Sequence, residues 1–112
     1  MGSPERVRGA ILETLRAYMK LRGGDLTSDV YMDEELLRVR LNQYFRIALM
    51  PGDLRELITY LKDKGYVRYK RLPIGLPGQE REELWWRVSG DGFRLLTGEL
   101  RDPSVIVSFP GR

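Results

Sequence analysis

The chain has 112 residues, of which 42% are hydrophobic and 31% are charged, a composition typical of one globular domain. It contains no cysteine and no histidine, which excludes disulfides, thiolate ligands, the usual zinc sites and the commonest general base near neutral pH. The net charge of +3 is compatible with a nucleic-acid partner but does not require one. No apolar run approaches the roughly 20 residues that span a membrane, and the first ten residues have no signal-peptide core. We therefore expect a cytoplasmic protein without membrane contact.

The first half of the chain predicts two helices separated by an acidic segment. Ser3 and Pro4 form a helix start, with serine as N-cap and proline in the first turn, and a glycine pair at 23–24 ends the apolar repeat that follows. The next segment contains five acids and no base, namely Asp25, Asp29, Asp33, Glu34 and Glu35. Within it, Val-Tyr-Met favours a short strand, and Asp33 can cap a second helix. The buried stripe of that helix is predicted to comprise Leu36, Leu37, Leu41, Tyr44 and Phe45.

The third predicted helix leads directly into a basic strand. Pro51 can occupy its first turn, and Asp53 suits the positive end of the helix dipole. Apolar residues recur with the spacing i, i+3, i+4 and i+7 at Leu54, Leu57, Ile58 and Leu61. Gly65 supplies the C-terminal stop.

A hairpin, a short helix and a tail make up the rest of the chain. Residues 66–69 and 84–88 favour strands because they are aromatic or β-branched, and the proline- and glycine-rich segment 73–82 is interpreted as the hairpin loop between them. Ser89 can cap a short last helix. The tail, residues 99–112, is predicted to be extended, since two prolines bracket a β-branched run.

Three stretches of this sequence together resemble the winged helix-turn-helix family: LLRVRLNQYF, GDLRELITYLKDKGYVRY and WWRVSGDGF. The resemblance covers residues 5 to 97. Its most specific part is the third helix running into GYV, followed by an aromatic strand that ends in VSGDG, where the family usually has a Leu-Thr-x-x-Gly turn. The resemblance implies a mainly α fold with a small antiparallel β wing, in the order helix, strand, helix, helix, strand, strand, with a short C-terminal helix and an extended tail. It also implies a DNA-binding scaffold that is often dimeric.

The end of the chain carries a second resemblance. The stretch GFRLLTGELRDPSVIV is similar to the ends of small winged-helix proteins of Mu-like phages and prophages. We therefore predict a winged-helix domain over residues 1–98 and an extended C-terminal tail over residues 99–112. A winged helix can also serve as a protein-interaction module, so the scaffold alone does not establish a regulator.

The third helix contains the candidate DNA-reading residues. In a helix-turn-helix, the solvent stripe of this helix faces the bases in the major groove. The positions most nearly opposite its apolar stripe are Gly52, Glu56, Thr59 and Asp63. Two of these are acidic, which disfavours approach to phosphates. Arg55 and Thr59 are the candidates for base contact, and Lys62 and Lys64 on the two flanks suit phosphates. The alternative is an ordinary solvated face balanced by ion pairs between neighbouring turns.

The strand after Gly65 adds three cations. By the two-residue repeat of a strand, Arg68 and Lys70 share one face, and Arg71 lies on the other with Val67 and Tyr69. We expect these cations to contact phosphates as part of the wing. The alternative is a solvated edge strand on which lysine discourages aggregation.

Apolar residues outside the predicted core form a second set of candidates, for contact with another subunit or protein: Ile74, Leu76, Trp85, Val105, Ile106 and Val107. Ile74 and Leu76 either fold back onto the sheet or form a contact surface. Trp85 is expected to be partly exposed because its neighbour Trp86 faces inward. The tail either packs over its own domain or adds a strand to a neighbouring subunit, and a homodimer through the tail or the first helix follows from the second arrangement.

No motif indicates catalysis or a bound cofactor. The acidic segment lacks the alternating ligands and central glycine of a calcium loop, so we interpret it as a helix cap and a solvated acidic patch without a metal. Such a patch would repel DNA and leave the wing side for its approach. The sequence also lacks a nucleophile elbow and a phosphate-cradling glycine loop. We expect no catalytic residue, no cofactor and no enzymatic activity.

These patterns favour a protein that binds duplex DNA, as a phage, prophage or bacterial transcriptional regulator. It would contact phosphates through the basic strand and the third helix. The alternative function is a protein-protein interaction module or a phage accessory or assembly factor on the same scaffold, without sequence-specific DNA binding.

Overall fold

The protein, described by a computed structural model over residues 3–23 and 29–107, has four helices and three strands in those ranges. Their bounds are α1 Pro4–Leu21, β1 Met32–Asp33, α2 Glu34–Phe45, α3 Pro51–Asp63, β2 Val67–Ile74, β3 Arg81–Val88 and α4 Gly90–Leu96. This order confirms the predicted fold class. Of the predicted features, Gly24, Asp25 and residues 108–112 of the tail lie outside the described residues.

The helix ends follow the capping signals of the sequence. The backbone N–H of Arg6 donates to Ser3 Oγ at 3.4 Å, and that of Leu36 donates to Asp33 Oδ1 at 2.7 Å. The Gly92 N–H donates to Ser89 Oγ at 3.2 Å, so the three predicted N-caps are confirmed. The C-cap of α2 is less usual. Arg46 has the left-handed backbone conformation, with φ 56° and ψ 35°, which is most often adopted by glycine at this position.

The strands form one antiparallel sheet in the order β1-β3-β2. The facing pairs on its inner side are Val67 with Val88, Tyr69 with Trp86, and Arg71 with Leu84. Trp86 lies against the helices and is only 1% exposed. Because side chains alternate along a strand, Arg68, Lys70, Trp85 and Arg87 point to the outer side. The predicted inward position of Trp86 and the separation of Arg71 from Arg68 and Lys70 are confirmed.

The core lies where three helices meet the inner side of the sheet. The apolar stripe of α3 is buried as predicted, with Leu54, Ile58 and Leu61 at 0% exposure. The stripe of α2 is shorter than predicted. Leu37 and Leu41 are fully buried, and Leu36 and Phe45 pack partly buried against the core, but Tyr44 is 49% exposed. Periodicity identifies the inner face of a helix but not how far along it the core reaches.

The tail packs against its own domain as far as Val107. The Ile106 N–H donates to the Glu5 carbonyl at 2.9 Å, and Val105 is 4% exposed. Gly9 permits this approach, since a Cβ there would overlap the Ile106 carbonyl oxygen. The segment is not extended throughout, because it turns at Asp102–Val105, where the Val105 N–H donates to the Asp102 carbonyl at 3.0 Å. No helix in the described ranges has the length and apolar character that a bilayer crossing requires.

Candidate nucleic-acid interface

The inner side of the β2–β3 hairpin, beside α3, brings together two of the predicted DNA-binding cations. Tyr69 lies at its centre, 40% exposed, with its ring 5.4 Å from that of Trp86. Lys62 Nζ of α3 is 5.7 Å from the Tyr69 ring centroid, and Arg71 Cζ of β2 is 5.9 Å from it. We call Lys62, Tyr69 and Arg71 the groove cluster. It presents two cations around one half-exposed aromatic ring.

Both cations of the groove cluster have weak acidic neighbours. Lys62 Nζ lies 3.9 Å from Asp63 Oδ1, and Arg71 Nε lies 3.7 Å from Glu82 Oε2. The side chains of these two pairs are 39–68% exposed, and exposed pairs of this length contribute at most about 1 kcal/mol. A phosphate can therefore displace either carboxylate.

Arg55, a predicted base-reading residue, is held by an acid. Its Nε and Nη2 donate to Glu34 Oε1 and Oε2 at 2.9 and 3.0 Å. Glu34 Oε1 also accepts from the buried Trp86 indole at 2.9 Å. The guanidinium is thus fixed between α3, the start of α2 and β3. Thr59, its expected partner in base contact, donates its hydroxyl to the Arg55 carbonyl at 2.6 Å.

Arg68 and Lys70 lie on the outer side of the sheet and so do not join the groove cluster. Lys70 Nζ is 3.4 Å from Asp29 Oδ2 and 4.5 Å from the Tyr31 ring centroid. Arg68 faces Arg87 across the two strands. The predicted basic strand therefore divides its charge between two surfaces, as its two-residue repeat requires.

The remaining predicted cation, Lys64, lies on the other flank of α3. Its Nζ is 5.7 Å from the Tyr60 ring centroid. Beside it, Asp102 of the tail accepts hydrogen bonds from the Tyr66 and Tyr60 hydroxyls at 2.8 and 3.3 Å. Lys64 therefore lies over the junction between the tail and α3, away from the groove cluster.

This junction shifts two pKa values. Burial, together with the hydrogen bond to Asp102, raises the pKa of Tyr66 to about 12. Burial alone would raise the pKa of Asp102. The hydrogen bonds from the Ser104 N–H, Tyr66 and Tyr60 outweigh it, so that pKa lies below its usual value. The carboxylate form of Asp102 and the phenol form of Tyr66 thus stabilise the docked tail together.

Comparison with known proteins supports this architecture. No protein-family model matches the sequence, and no curated protein matches it significantly. The structure is similar to a crystal structure from Thermoplasma acidophilum of a protein named as a candidate transcriptional regulator. The TM-score is 0.58 at 16% identity, over 80% of this chain and 73% of that one. The chain has a winged-helix fold. No match links it to Mu-like phages, so that resemblance stays a prediction.

In the terms of the winged-helix fold, α2 and α3 form the helix-turn-helix, and β2 and β3 form the wing. The wing tip is not basic. Glu80 Oε2 accepts from the Gly78 N–H at 3.0 Å, and Arg81 is flanked by acids on both sides. Leu76 is 71% exposed and so does not fold back, whereas Ile74 is half-buried. The tip therefore presents an apolar side chain among carboxylates, which disfavours contact with DNA.

The other predicted partner-binding residues lie in three different environments. Trp85 is half-buried on the outer side of the wing, with its indole nitrogen buried and without a hydrogen-bond partner in the described structure. Val105 is buried in its own domain, Val107 is half-buried, and Ile106 is 41% exposed. Ile106 is thus the most exposed of these three tail residues.

Three residues at or near the candidate interface were not predicted as site residues: Glu34, Tyr69 and Arg46. Glu34 was assigned to a solvated acidic patch, but it accepts three hydrogen bonds within the fold. Nothing local in the sequence signals this pairing, because its partners are 21 and 52 residues away. The sequence did contain a signal for Arg46, because the segment 36–52, which surrounds it, has three arginines and no acid.

Proposed function

We propose that this protein binds duplex DNA through α3 and the inner side of the wing, as a transcriptional regulator. The observation that carries the proposal is the groove cluster, in which Lys62 from the helix and Arg71 from the wing flank the exposed ring of Tyr69. In a winged helix, α3 enters the major groove, so these two cations would meet the phosphates along one edge of it.

Phosphate contact is the stronger part of this proposal, and base reading is the weaker part. Glu56 and Asp63 are both exposed on α3, and carboxylates there oppose close approach to the phosphates. Arg55 is engaged by Glu34, so it contributes as a base reader only after that pair opens. We therefore propose affinity with modest sequence preference in the isolated protein.

The outer-side cations have a secondary role in this scheme. Arg68 and Lys70 raise the local positive potential and speed encounter with DNA, an effect that depends on ionic strength. Lys64 acts in the same way from the other flank of α3. This role would place the protein in the cytoplasm, and on the resemblance of its tail we propose that it is a phage or prophage regulator.

A double substitution tests the proposed surface. Lys62→Ala with Arg71→Ala is expected to weaken binding to a random duplex by about tenfold or more and to reduce the salt slope by about two. The matched control is Lys20→Ala with Arg101→Ala, which removes two exposed cations from α1 and the tail. If both double variants lose the same affinity, the groove cluster is not the DNA-binding surface.

A second candidate function is contact with another protein or with a second copy of this chain, through the wing tip or beside the tail. It is favoured by the exposure of Leu76 at 71% and of Ile106 at 41%, Ile106 lying against α1. Light scattering during gel filtration of wild type, Leu76→Ser and Ile106→Ser would test for a homodimer. A monomer that neither change affects removes the support for self-association.

A further inference from the structure

Arg46 has an unusual backbone conformation at the turn of the helix-turn-helix. It is the only non-glycine residue with positive φ in the described part of the chain, at 56°. Residues other than glycine and asparagine rarely adopt this backbone conformation, because their Cβ atom approaches the backbone carbonyl too closely. A glycine here would end α2 equally well, so the sequence has an arginine at a position whose backbone conformation favours glycine.

The hydrogen bonds of the turn fix Arg46 at the C-terminal end of α2, in the turn that leads into α3. Its N–H donates to the Asn42 carbonyl at 3.0 Å, and the Ile47 N–H donates to the Leu41 carbonyl at 3.3 Å. The rest of the turn is tied back to α2, since Arg38 Nη1 donates to the Leu49 carbonyl at 2.9 Å. The exposed Arg46 side chain thus begins from a defined backbone position just before α3.

The arginines of the helix-turn-helix differ in their partners. Arg38 pairs with Glu35 at 2.7 Å, and Arg40 donates to Gln43 at 3.0 Å. Arg55 is paired with Glu34. Within residues 3–23 and 29–107, by contrast, Arg46 forms no ion pair. It is therefore an exposed cation with no acid to displace.

The width of the major groove indicates where such a cation could contact a phosphate. A helix in the major groove lies between two sugar-phosphate backbones about 12 Å apart across the groove, and α3, with 13 residues, is about 20 Å long. The groove cluster serves the side toward the wing and the C-terminal half of α3. Toward the opposite end of α3, Asp53 and Glu56 are exposed and Arg55 is paired with Glu34, so a phosphate there would have to be held by a cation of the preceding turn.

We propose that Arg46 is a phosphate-contacting residue, which holds the DNA backbone beside the turn between α2 and α3 while the groove cluster holds it at the C-terminal half of α3. This rests on the proposed function. The positive φ of Arg46 lowers the stability of the fold, whereas its exposed side chain contributes to DNA binding. The prediction is therefore that stability and DNA affinity change in opposite directions when the residue becomes glycine.

The test compares Arg46→Gly, Arg46→Lys and the control Lys20→Ala, which removes one exposed cation from the last turn of α1. Each is measured by thermal unfolding and by fluorescence anisotropy with a random duplex over a salt series. We expect Arg46→Gly to unfold at a higher temperature than wild type yet bind several-fold more weakly, with a salt slope shallower by about one. Arg46→Lys should retain the wild-type slope, and Lys20→Ala should retain most of the affinity.

The outcomes separate this inference from the proposed function. If the wild-type protein binds DNA and Arg46→Gly has the affinity and slope of Lys20→Ala, Arg46 is not a phosphate contact, and the DNA-binding function stands. If the wild-type protein does not bind duplex DNA at low salt, the proposed function fails, and this inference fails with it.

Discussion

Arg55 of α3 and Glu34 of α2 form a two-point ion pair, with N–O distances of 2.9 and 3.0 Å. The same carboxylate accepts the indole N–H of Trp86, so it links the helix-turn-helix to the wing. This pair occupies the one arginine of α3 and thereby limits how the helix can contact bases. It also fixes the angle at which α3 lies against the sheet.

Replacing Glu34 by glutamine should release Arg55 for DNA. The amide can still accept from Trp86 but no longer carries the charge that holds the guanidinium, and we expect several-fold tighter binding with a salt slope steeper by about one. Unfolding should be easier by less than about 1 kcal/mol, because Arg55 is half exposed. Anisotropy titration of Glu34→Gln against the double variant Glu34→Gln with Arg55→Ala measures the effect. Equal affinity of the two would show that the released arginine does not reach DNA.

The contact between Gly9 and the Ile106 carbonyl should make Gly9→Ala destabilising. The new Cβ would overlap that oxygen, so either the tail leaves α1 or the helix shifts. We expect a loss of about 1–3 kcal/mol, even though alanine favours helix more than glycine does. Gly52→Ala is the matched control, since a Cβ at this helical position meets nothing within 4 Å. Urea unfolding in which the two variants behave alike would contradict the observed tail packing.

The tail junction should make stability depend on pH at both extremes. The pKa of Asp102 is lowered in the fold, so its contribution is full above the unfolded pKa of about 3.9 and is lost as pH falls further. The pKa of Tyr66 is raised to about 12, so its contribution is full below the unfolded value of about 10 and is lost as pH rises from there to the raised value.

Asp102→Asn is the variant that tests this junction. It removes the carboxylate that both tyrosines donate to, and we expect a loss of about 1–3 kcal/mol near neutral pH. The difference between wild type and variant should shrink below pH 4, where the Asp102 carboxyl of the unfolded chain begins to protonate while that of the folded protein is still charged. A difference that stays constant from pH 7 to pH 3, measured by urea unfolding, would show that the charge of Asp102 contributes nothing.

Local sequence patterns were sufficient to predict the fold, because helix caps, apolar stripes and strand alternation depend on residues close together in the sequence. The stripe of Leu54, Ile58 and Leu61 and the caps Ser3 and Asp33 each depend on neighbours within one or two helical turns. The alternation of the basic strand also predicted that Arg71 would lie apart from Arg68 and Lys70. The stripe, the caps and the strand alternation are therefore the same in the fold as in the sequence-based prediction.

The candidate site was predicted less completely, because it depends on distant contacts. The engagement of Arg55 by Glu34 and the placement of Lys70 beside Asp29 join residues 21 and 41 positions apart. Periodicity cannot identify such partners. In the sequence, the seven predicted DNA-binding residues form one segment. The fold distributes them over the groove cluster, the contact of α3 with α2, the outer side of the wing and the tail junction.

The central claim is that α3 and the inner side of the wing bind duplex DNA by phosphate contacts, and a salt series tests it most directly. The affinity of the wild-type protein for a random duplex is measured by fluorescence anisotropy at increasing concentrations of monovalent salt. With Lys62, Arg71 and Arg46 each neutralising one phosphate, the slope of log K against log salt should be about −3. An affinity that does not change with salt, or no binding at the lowest salt, would contradict the claim.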